Sequence, residues 1–132
     1  MGIFKQLFGI CETKRPLNEK AWTLNKDNII EVDLNLMTEL KEKECAVRLE
    51  RRSPLIRVLL LKNQNGDFHA FENRCTHMGR RLDLREGQQK MKCCSVSGSC
   101  FDMDGNVTGG PAKKTIRKFN VIKEDNILKI EV

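Results

Sequence analysis

Hydrophobic and polar residues alternate along several short segments after Trp22, as they do in strands with one buried face. The Asn65-Gly66 pair between two of these segments is typical of a tight hairpin turn. The pattern predicts strands over 28–34, 45–50, 55–62, 68–71, 118–122 and 127–132. Short strands joined by tight turns favour an all-β fold, either a sandwich or a barrel.

A length of 132 residues suggests one domain with one core. We assign the domain to residues 22–132 and treat residues 1–21 as an N-terminal appendage. Helical spacing of apolar residues predicts a short amphipathic helix there, at Ile3, Phe4, Leu7 and Phe8. We expect it to pack on the domain, and the alternative is weak contact with a membrane or a partner through residues 3–10. No apolar run approaches the ~20 residues of a membrane span.

Residues 73–112 interrupt the strand pattern and are rich in Gly, Cys, Arg and Ser. Because loops of that length in a compact domain are usually functional, we expect the functional site there. Cys75 and His77 supply a thiolate and an imidazole close together, and Cys94 follows after sixteen intervening residues. These residue types suit iron–sulfur clusters or zinc, and nearby glycines would let the loops fold tightly around a metal.

At these residues the sequence resembles the Rieske family. The stretch CTHMGRRL at 75–82 is similar to the first Rieske loop, Cys-x-His-x-Gly-x-x-Leu. The stretch CSVSGSCFDMDGNVTGGPA at 94–112 is similar to the second, Cys-Pro-x-His-Gly-x-x-Phe-Asp followed by Gly-Pro-Ala. The resemblance covers roughly residues 22–132. It implies an antiparallel β-sandwich or barrel with the two loops side by side at one tip.

The resemblance also implies a [2Fe–2S] cluster, in which two cysteines hold the inner iron and two histidines hold the outer iron. Carried over, the inner-iron ligands are Cys75 and Cys94, and one outer-iron ligand is His77. Ser97 stands where the second histidine is expected. Ser99 matches the serine that donates a hydrogen bond to the cluster in high-potential members.

The fourth ligand is open on this sequence. Ser97 could bind ferric iron as an alkoxide, and Cys93 or Cys100 could supply a softer thiolate. Cys93 adjoins an expected ligand, and adjacent side chains in an extended chain point apart. The remaining histidine, His69, lies on a predicted strand as far as ~20 Å from the first loop, so we expect an exposed strand residue there.

Six cysteines in a chain without a recognisable signal peptide predict a cytoplasmic protein, whose thiols stay reduced. Cysteines in that setting are metal ligands or redox groups more often than disulfide partners. Cys11 is distant in sequence from the other cysteines, and we expect it to be a bystander. The loop-bridging disulfide of respiratory family members is not expected, because its positions hold Arg80 and Val96.

The net charge of +6 is concentrated around the candidate site, with six basic and two acidic side chains in residues 74–92. This favours either a solvated basic surface or a docking face for an acidic redox partner. The docking residues would be Arg74, Arg80, Arg81, Arg85, Lys113 and Lys114. With no tyrosine, one tryptophan and no recognition motif, we expect no nucleic-acid binding.

Three functions are compatible with these residues. The first is an electron carrier or accessory redox subunit with a Rieske-type [2Fe–2S] cluster and an altered fourth ligand. The second is a binding or scaffold module of the Rieske fold that has lost the cluster. The third is a zinc site built from Cys75, His77, Cys94 and either Cys93 or Cys100. The matching ligand positions favour a metal, while the replaced histidine argues against the ordinary cluster.

Overall fold

The computed structural model describes residues 11–95 and 98–132. In these ranges the fold is nearly all β, as the strand pattern predicts. Two short 3-10 helices are also described, Glu19–Ala21 and Thr38–Leu40. No helix in the described part of the chain is long and apolar enough to cross a membrane. The helix predicted near residues 3–8 lies outside the described residues.

Eleven strands lie within the described ranges. They are β1 (Trp22–Leu24), β2 (Ile29–Asp33), β3 (Cys45–Arg51), β4 (Ile56–Lys62), β5 (Phe68–Glu72), β6 (Leu82–Arg85), β7 (Lys90–Cys93), β8 (Cys100–Asp102), β9 (Val107–Gly109), β10 (Lys118–Glu124) and β11 (Ile127–Glu131). Seven form one sheet in the order β1-β2-β11-β10-β5-β4-β3, and four form a second in the order β6-β7-β8-β9. The described strand pairs are all antiparallel.

The large sheet curls around a first hydrophobic core. Strand β10 joins its two halves, because Lys118 and Phe119 pair with β5 while the following residues pair with β11. Trp22 of β1 and Leu49 of β3 both contribute to this core, although β1 and β3 are the two ends of the strand order. Leu128 of β11, between them in the order, contributes as well. The two halves of the sheet therefore face each other across one apolar interior.

Strand β4 is buried on both faces. Val58 and Leu60 point into the first core, whereas Leu59 and Leu61 point into a second core that also contains Phe71 of β5. A strand with two buried faces needs an unbroken apolar run, which explains why this segment does not alternate. The small sheet closes the second core with Leu82, Met91 and Phe101.

The prediction of loops throughout residues 73–112 was wrong, because four of the strands lie there. Strands β6 and β7 carry a period-two pattern in Leu-Asp-Leu-Arg and Lys-Met-Lys-Cys, which is the signal of a half-buried strand. Each described strand of the small sheet has only three or four residues. The glycines and cysteines between them masked the pattern.

Gly110 marks the closest approach between the Gly-Pro-Ala segment and the second loop. Its φ is +80°, and a Cβ added there would lie 2.5 Å from Ser99 Cα and 2.8 Å from Ser99 N. Gly66, in the hairpin turn that the sequence predicts, has a similar φ of +85° but meets nothing within 4 Å. The two glycines therefore share a backbone conformation and differ in the space around them.

Gly110→Ala should destabilise the fold more than Gly66→Ala. Both changes place a side chain in the left-handed region, at a cost of about 1–2 kcal/mol. Gly110→Ala adds an overpacking cost of about 1–3 kcal/mol, because the Ser99 backbone must move. Urea denaturation of the two variants measures the difference, and equal losses of unfolding free energy would contradict the close approach.

Candidate metal centre

The first loop connects β5 to β6 and closes into a tight turn around Cys75. The Cys75 N–H donates to the Arg80 carbonyl (2.7 Å), and the Gly79 N–H donates to the Cys75 carbonyl (2.8 Å). Gly79 has a φ of +75°, which glycine adopts without strain. The Cys75 side chain is buried in the second core. The turn therefore holds the thiol away from water.

Asn73 and Arg57 fix the ends of this loop. The fully buried Asn73 side chain accepts a hydrogen bond from the Leu82 N–H (2.8 Å), and the Asn73 backbone N–H donates to the Arg57 carbonyl (2.9 Å). The Arg57 guanidinium donates to the Gly79 carbonyl (3.1 Å). The sequence analysis missed both residues, although Asn73 stands where a strand ends and the Cys-x-His motif begins.

His77 lies at the exposed edge of the first loop. An open depression of about 530 Å³ surrounds it and is lined by loop residues 74–79 together with residues 72, 114, 115 and 117. The Thr76 hydroxyl donates to the Lys114 carbonyl (2.7 Å) and ties the loop to the opposite wall. Buried Cys75 and exposed His77 thus lie two residues apart, one facing the core and one facing solvent.

The second loop lies beside the first, as expected. Its Cys94 N–H donates to the Arg81 carbonyl (2.9 Å), next to the Arg80 carbonyl that accepts from Cys75. The buried Ser99 carbonyl accepts from the Cys93 N–H (2.8 Å). The Ser99 hydroxyl accepts from Ala112 N–H (3.1 Å), which leaves its own hydrogen able to donate.

Cys93 is the cysteine whose thiol lies near that of Cys75. Both side chains are buried in the second core. Burial raises the pKa of the Cys93 thiol to about 11, opposed by a hydrogen bond with Ser95 and reinforced by Cys75. The Cys93 Sγ lies 3.2 Å from the Ser95 Oγ. The two thiols form one pair at the base of the loops.

Cys94 belongs to a different pair, because it forms a disulfide with Cys11. The expectation that Cys11 is a bystander was wrong, and the general preference for ligands or redox groups over disulfide partners does not hold for this pair. The Cα atoms of the two residues are 5.4 Å apart, and both side chains are buried. The other four cysteines are free thiols. The contact spans 83 positions in sequence, so no local pattern could indicate it.

Asp83 holds the segment that carries Cys11. Its buried carboxylate accepts hydrogen bonds from the Glu12 N–H (2.7 Å) and the Thr13 N–H (2.8 Å). The ligand atoms of Cys11, Asp83 and Cys94 lie within 4.8 Å of one another. Two amide donors compensate for the burial of the carboxylate. We call residues 11–14 the N-terminal strap, and its Lys14 carbonyl also accepts from the Arg48 N–H (3.0 Å).

Strand register explains why the adjacent cysteines have different partners. Cys93 pairs with Leu82 across β6 and β7, and both point into the second core. Asp83, the next residue of β6, points to the opposite face, where the strap lies. Cys94 is the first residue after β7, and its sulfur is bonded to Cys11 of the strap. Cys100 pairs with Lys92, so it also lies on the face away from Cys75. Of the two alternative cysteine ligands, Cys93 is on the side of Cys75.

Two of the residues considered as ligands in the sequence analysis have not yet been placed, Ser97 and His69. Ser97 lies outside the described residues. His69 is on β5, where its Nε2 is 3.0 Å from the Asn63 Nδ2 and its ring stacks on Phe71 with centroids 6.3 Å apart. Burial, and secondarily the charge of Lys118, lower the pKa of His69. His69 is half-buried rather than exposed, and its contacts are to the large sheet.

Basic residues surround the loops but are not equally available to a partner. Arg74, Lys113 and Lys114 are exposed, and Arg80 and Arg85 are half-buried. The Arg81 guanidinium forms two hydrogen bonds to the Glu50 carboxylate, at 2.6 and 3.2 Å, and ties the first loop to β3. Its charge is therefore largely neutralised within the protein, unlike those of the exposed residues.

Comparison with known proteins identifies the family. Residues 32–120 match the family model described as Rieske [2Fe-2S] domain. The match covers more than half of the sequence, so the chain belongs to the Rieske [2Fe-2S] domain family. No curated protein matches the chain.

Solved structures show the same fold. The plasma membrane Rieske protein PetC3 from the cyanobacterium Synechocystis PCC 6803 shares 23% identity and a TM-score of 0.59, over 73% of this chain and 94% of that chain. The ferredoxin of carbazole 1,9a-dioxygenase from Nocardioides aromaticivorans IC177 shares 16% identity and a TM-score of 0.57, over 67% of this chain and 86% of that chain. A complex of reduced oxygenase and oxidized ferredoxin in carbazole 1,9a-dioxygenase matches with 17% identity and a TM-score of 0.58, over 68% of this chain and 82% of that chain.

The described donor atoms fit a cluster of this family only in part. Such a cluster takes two thiolates and two imidazoles. The first loop offers the buried Cys75 thiol and the exposed His77 imidazole. The Cys94 sulfur is bonded to Cys11, so in this oxidised form it has no thiolate to offer. Reduction of the disulfide would restore a third donor at the position that the family motif assigns.

Reducing the Cys11–Cys94 disulfide should lower the free energy of unfolding by about 2–4 kcal/mol, because the bond restricts the unfolded chain. Cys11→Ser should have the same effect without reductant. Urea denaturation with and without dithiothreitol measures the change. Cys45→Ser removes a free thiol and serves as the control, with an expected loss below about 1 kcal/mol. Equal stability of the oxidised and reduced wild-type protein would contradict a formed disulfide.

Proposed function

We propose that the protein is an electron carrier whose [2Fe–2S] cluster is held by Cys75, Cys94 in its reduced form, and His77. The observation that supports this best is the side-by-side arrangement of the two family loops, with a buried thiol below an exposed imidazole. When bound, such a cluster supplies one electron that is reversibly accepted and donated. The domain would act as an accessory redox subunit rather than as a catalyst.

The chain's own residues would perform two tasks in this function. The second core excludes water from the thiols, since the side chains of Cys75 and Cys93 are almost fully inaccessible. His77 faces the depression at the surface, where a partner could approach within a short distance. The buried residues would protect the centre, and the exposed edge would give electrons a path to a partner.

For the fourth ligand, the geometry favours Cys93 over Cys100. The Cys93 side chain is buried in the second core with Cys75, whereas Cys100, within strand β8, lies on the other face of the small sheet and donates to the Gly98 carbonyl (3.4 Å). Ser97 remains the candidate that the family motif places at this position. A thiolate or alkoxide in place of a neutral imidazole would make the cluster more negative and harder to reduce.

A redox partner protein is part of this proposal. One of the similar structures is a complex of reduced oxygenase and oxidized ferredoxin in carbazole 1,9a-dioxygenase, which supports a redox partner protein here. We expect the partner of the present chain to be acidic, because Arg74 and Lys114 line the depression around His77 and Lys113 is exposed next to Lys114. Opposite charges around a redox centre speed encounter.

A cluster-free binding module is the second candidate function. The observation that favours it is the disulfide, which occupies the sulfur of an expected ligand. In that case the loops would keep the Rieske geometry for contact with another protein. The metal content of the reduced protein separates the two candidates.

After anaerobic purification with a dithiol, the protein should contain two iron atoms and two acid-labile sulfides per chain, as a [2Fe–2S] cluster requires. Cys75→Ser should lose at least about nine-tenths of both, because a cluster is held by thiolates at its inner iron. Elemental analysis and a sulfide assay measure the content. Zinc in place of iron, or no metal, would contradict the electron-carrier function.

Matched variants locate the fourth ligand in the same assay. Cys45→Ser removes a thiol outside both loops and should retain the full iron content. Cys93→Ser should lose iron if its thiolate is the ligand and keep iron if it only packs beside Cys75. Ser97→His restores the residue of the family motif, so it should increase iron retention if position 97 faces the cluster.

The exposed basic residues beside the loops, Arg74, Lys113 and Lys114, form a basic rim that should speed oxidation of the reduced protein by an anion. The rate with ferricyanide should fall as salt rises, while the rate with hexaammineruthenium(III), a cation, should rise, because salt screens exposed charges. Stopped-flow absorbance measures both rates. Lys114→Glu should weaken the salt dependence, and Lys26→Glu, in the β1–β2 turn, is the control. Rates that do not respond to ionic strength would contradict steering by the rim.

A further inference from the structure

We infer that the Cys11–Cys94 disulfide is a redox modification site, acted on by a dithiol reductant, that controls whether the metal centre can form. This inference rests on the proposed function, because Cys94 is the ligand that the disulfide withdraws. The Cys94 sulfur can form only one of two bonds at a time. In the structure it forms a disulfide with Cys11, and in the family motif the same position binds iron as a thiolate.

The strap places Cys11 at this sulfur through contacts of its own. Both oxygens of the buried Asp83 carboxylate are used by strap amides, of Glu12 and Thr13. The Lys14 carbonyl is held by the Arg48 N–H of β3. Burying a carboxylate is costly unless its oxygens are hydrogen bonded, so Asp83 stabilises this position of the strap specifically. Cys11 is therefore held at Cys94 even before a disulfide forms.

The backbone of Cys94 is fixed independently of the strap. Its N–H donates to the Arg81 carbonyl within the paired loops, and this bond does not involve Cys11. Opening the disulfide would therefore free the sulfur without releasing the loop from its neighbour. Cys93 and Cys75 stay buried together in the second core. The change is a rotation of the Cys94 side chain from the strap towards the first loop, which its position just beyond the end of β7 allows.

The reduction is a balanced thiol–disulfide exchange. Cys11 is 7% exposed and Cys94 is fully buried, so the thiolate of a dithiol reductant would attack the Cys11 sulfur. A mixed disulfide forms on Cys11, and Cys94 leaves as a thiolate. The second thiol of the reductant then releases Cys11. The protein gains two electrons and two protons, and the reductant becomes a disulfide. Exchange with an excess of a small disulfide reverses the step.

The consequence is a metal centre that cannot form when the disulfide is present and can form when it is reduced. Among the residues that the structure describes near Cys75, the donors that remain in the oxidised form are Cys75, His77 and Cys93, which do not form the family's ligand set. In the reduced form, Cys94 can bind metal and Cys11 becomes a free thiol in the strap. The amount of iron and sulfide that the protein binds would then depend on whether its surroundings keep thiols reduced.

The test compares cluster loading in oxidised and reduced protein. Wild type and Cys11→Ser are each treated with either glutathione disulfide or dithiothreitol, freed of the reagent, and incubated anaerobically with ferrous iron and sulfide. Oxidised wild type should hold at least about tenfold less iron and sulfide than reduced wild type. Cys11→Ser should load equally after both treatments, because Cys94 has lost its partner. Cys45→Ser is the control and should behave as wild type.

Alkylation and mass measurement after loading provide a readout that does not depend on the cluster. Oxidised wild type should show four alkylated cysteines and reduced, metal-stripped wild type all six, since the chain has six cysteines and one described disulfide. If Cys11→Ser folds poorly, Cys11→Ala provides the same comparison.

Three results would overturn the inference. Equal loading of oxidised and reduced wild type, with the disulfide intact, would overturn the switch and leave the electron-carrier function in place. Loading of reduced wild type together with failure of folded Cys11→Ser would also overturn it, because Cys11 would then assist the centre. No loading in any sample would overturn both the switch and the proposed function.

Discussion

Burial of strand β4 on both faces is the constraint on which the rest of the structure depends. Its alternate side chains enter two separate cores, and Leu59, Leu60 and Leu61 are fully buried. Each such side chain contributes roughly 1.5–3 kcal/mol relative to an exposed position. The first core closes the curled sheet and the second fixes the small sheet against it. The candidate metal centre lies at the end of that second core.

The same alternation decides the chemistry of the cysteines. Because neighbouring residues of a strand point to opposite faces, Cys93 enters the second core with Cys75, while Asp83 faces the strap. Cys94, just beyond the end of β7, is bonded there to Cys11. The Cys75 and Cys93 thiols are enclosed among apolar side chains, while the Cys11–Cys94 disulfide lies beside the Asp83 carboxylate. The adjacent residues Cys93 and Cys94 therefore differ: the Cys93 thiol is buried with Cys75, and the Cys94 sulfur is bonded to Cys11.

Sequence reasoning succeeded where the determinants are local. Alternation and Asn65-Gly66 predicted six strands and their hairpin, and the two Rieske loop motifs predicted loops that lie side by side. Strands β1 and β6–β9 were missed, because their three or four residues leave little room for a period to show.

Contacts between distant parts of the chain could not be predicted in this way. The Cys11–Cys94 disulfide depends on how the strap packs against the small sheet, and no local sequence pattern near Cys11 indicates that packing. The roles of Asp83 and Arg57 likewise arise from contacts with segments far away along the chain. The ligand motif can be recognised in the sequence, but which sulfur is available to a metal is decided by the fold.

The most direct test of this account is high-resolution native mass spectrometry of the partly loaded protein. Loss of one disulfide adds two hydrogens to the polypeptide, so the state of Cys11 and Cys94 can be determined in the same ions that carry iron and sulfide. The account predicts that every cluster-bearing ion lacks the Cys11–Cys94 disulfide. An ion that carries both a [2Fe–2S] cluster and this disulfide would contradict it.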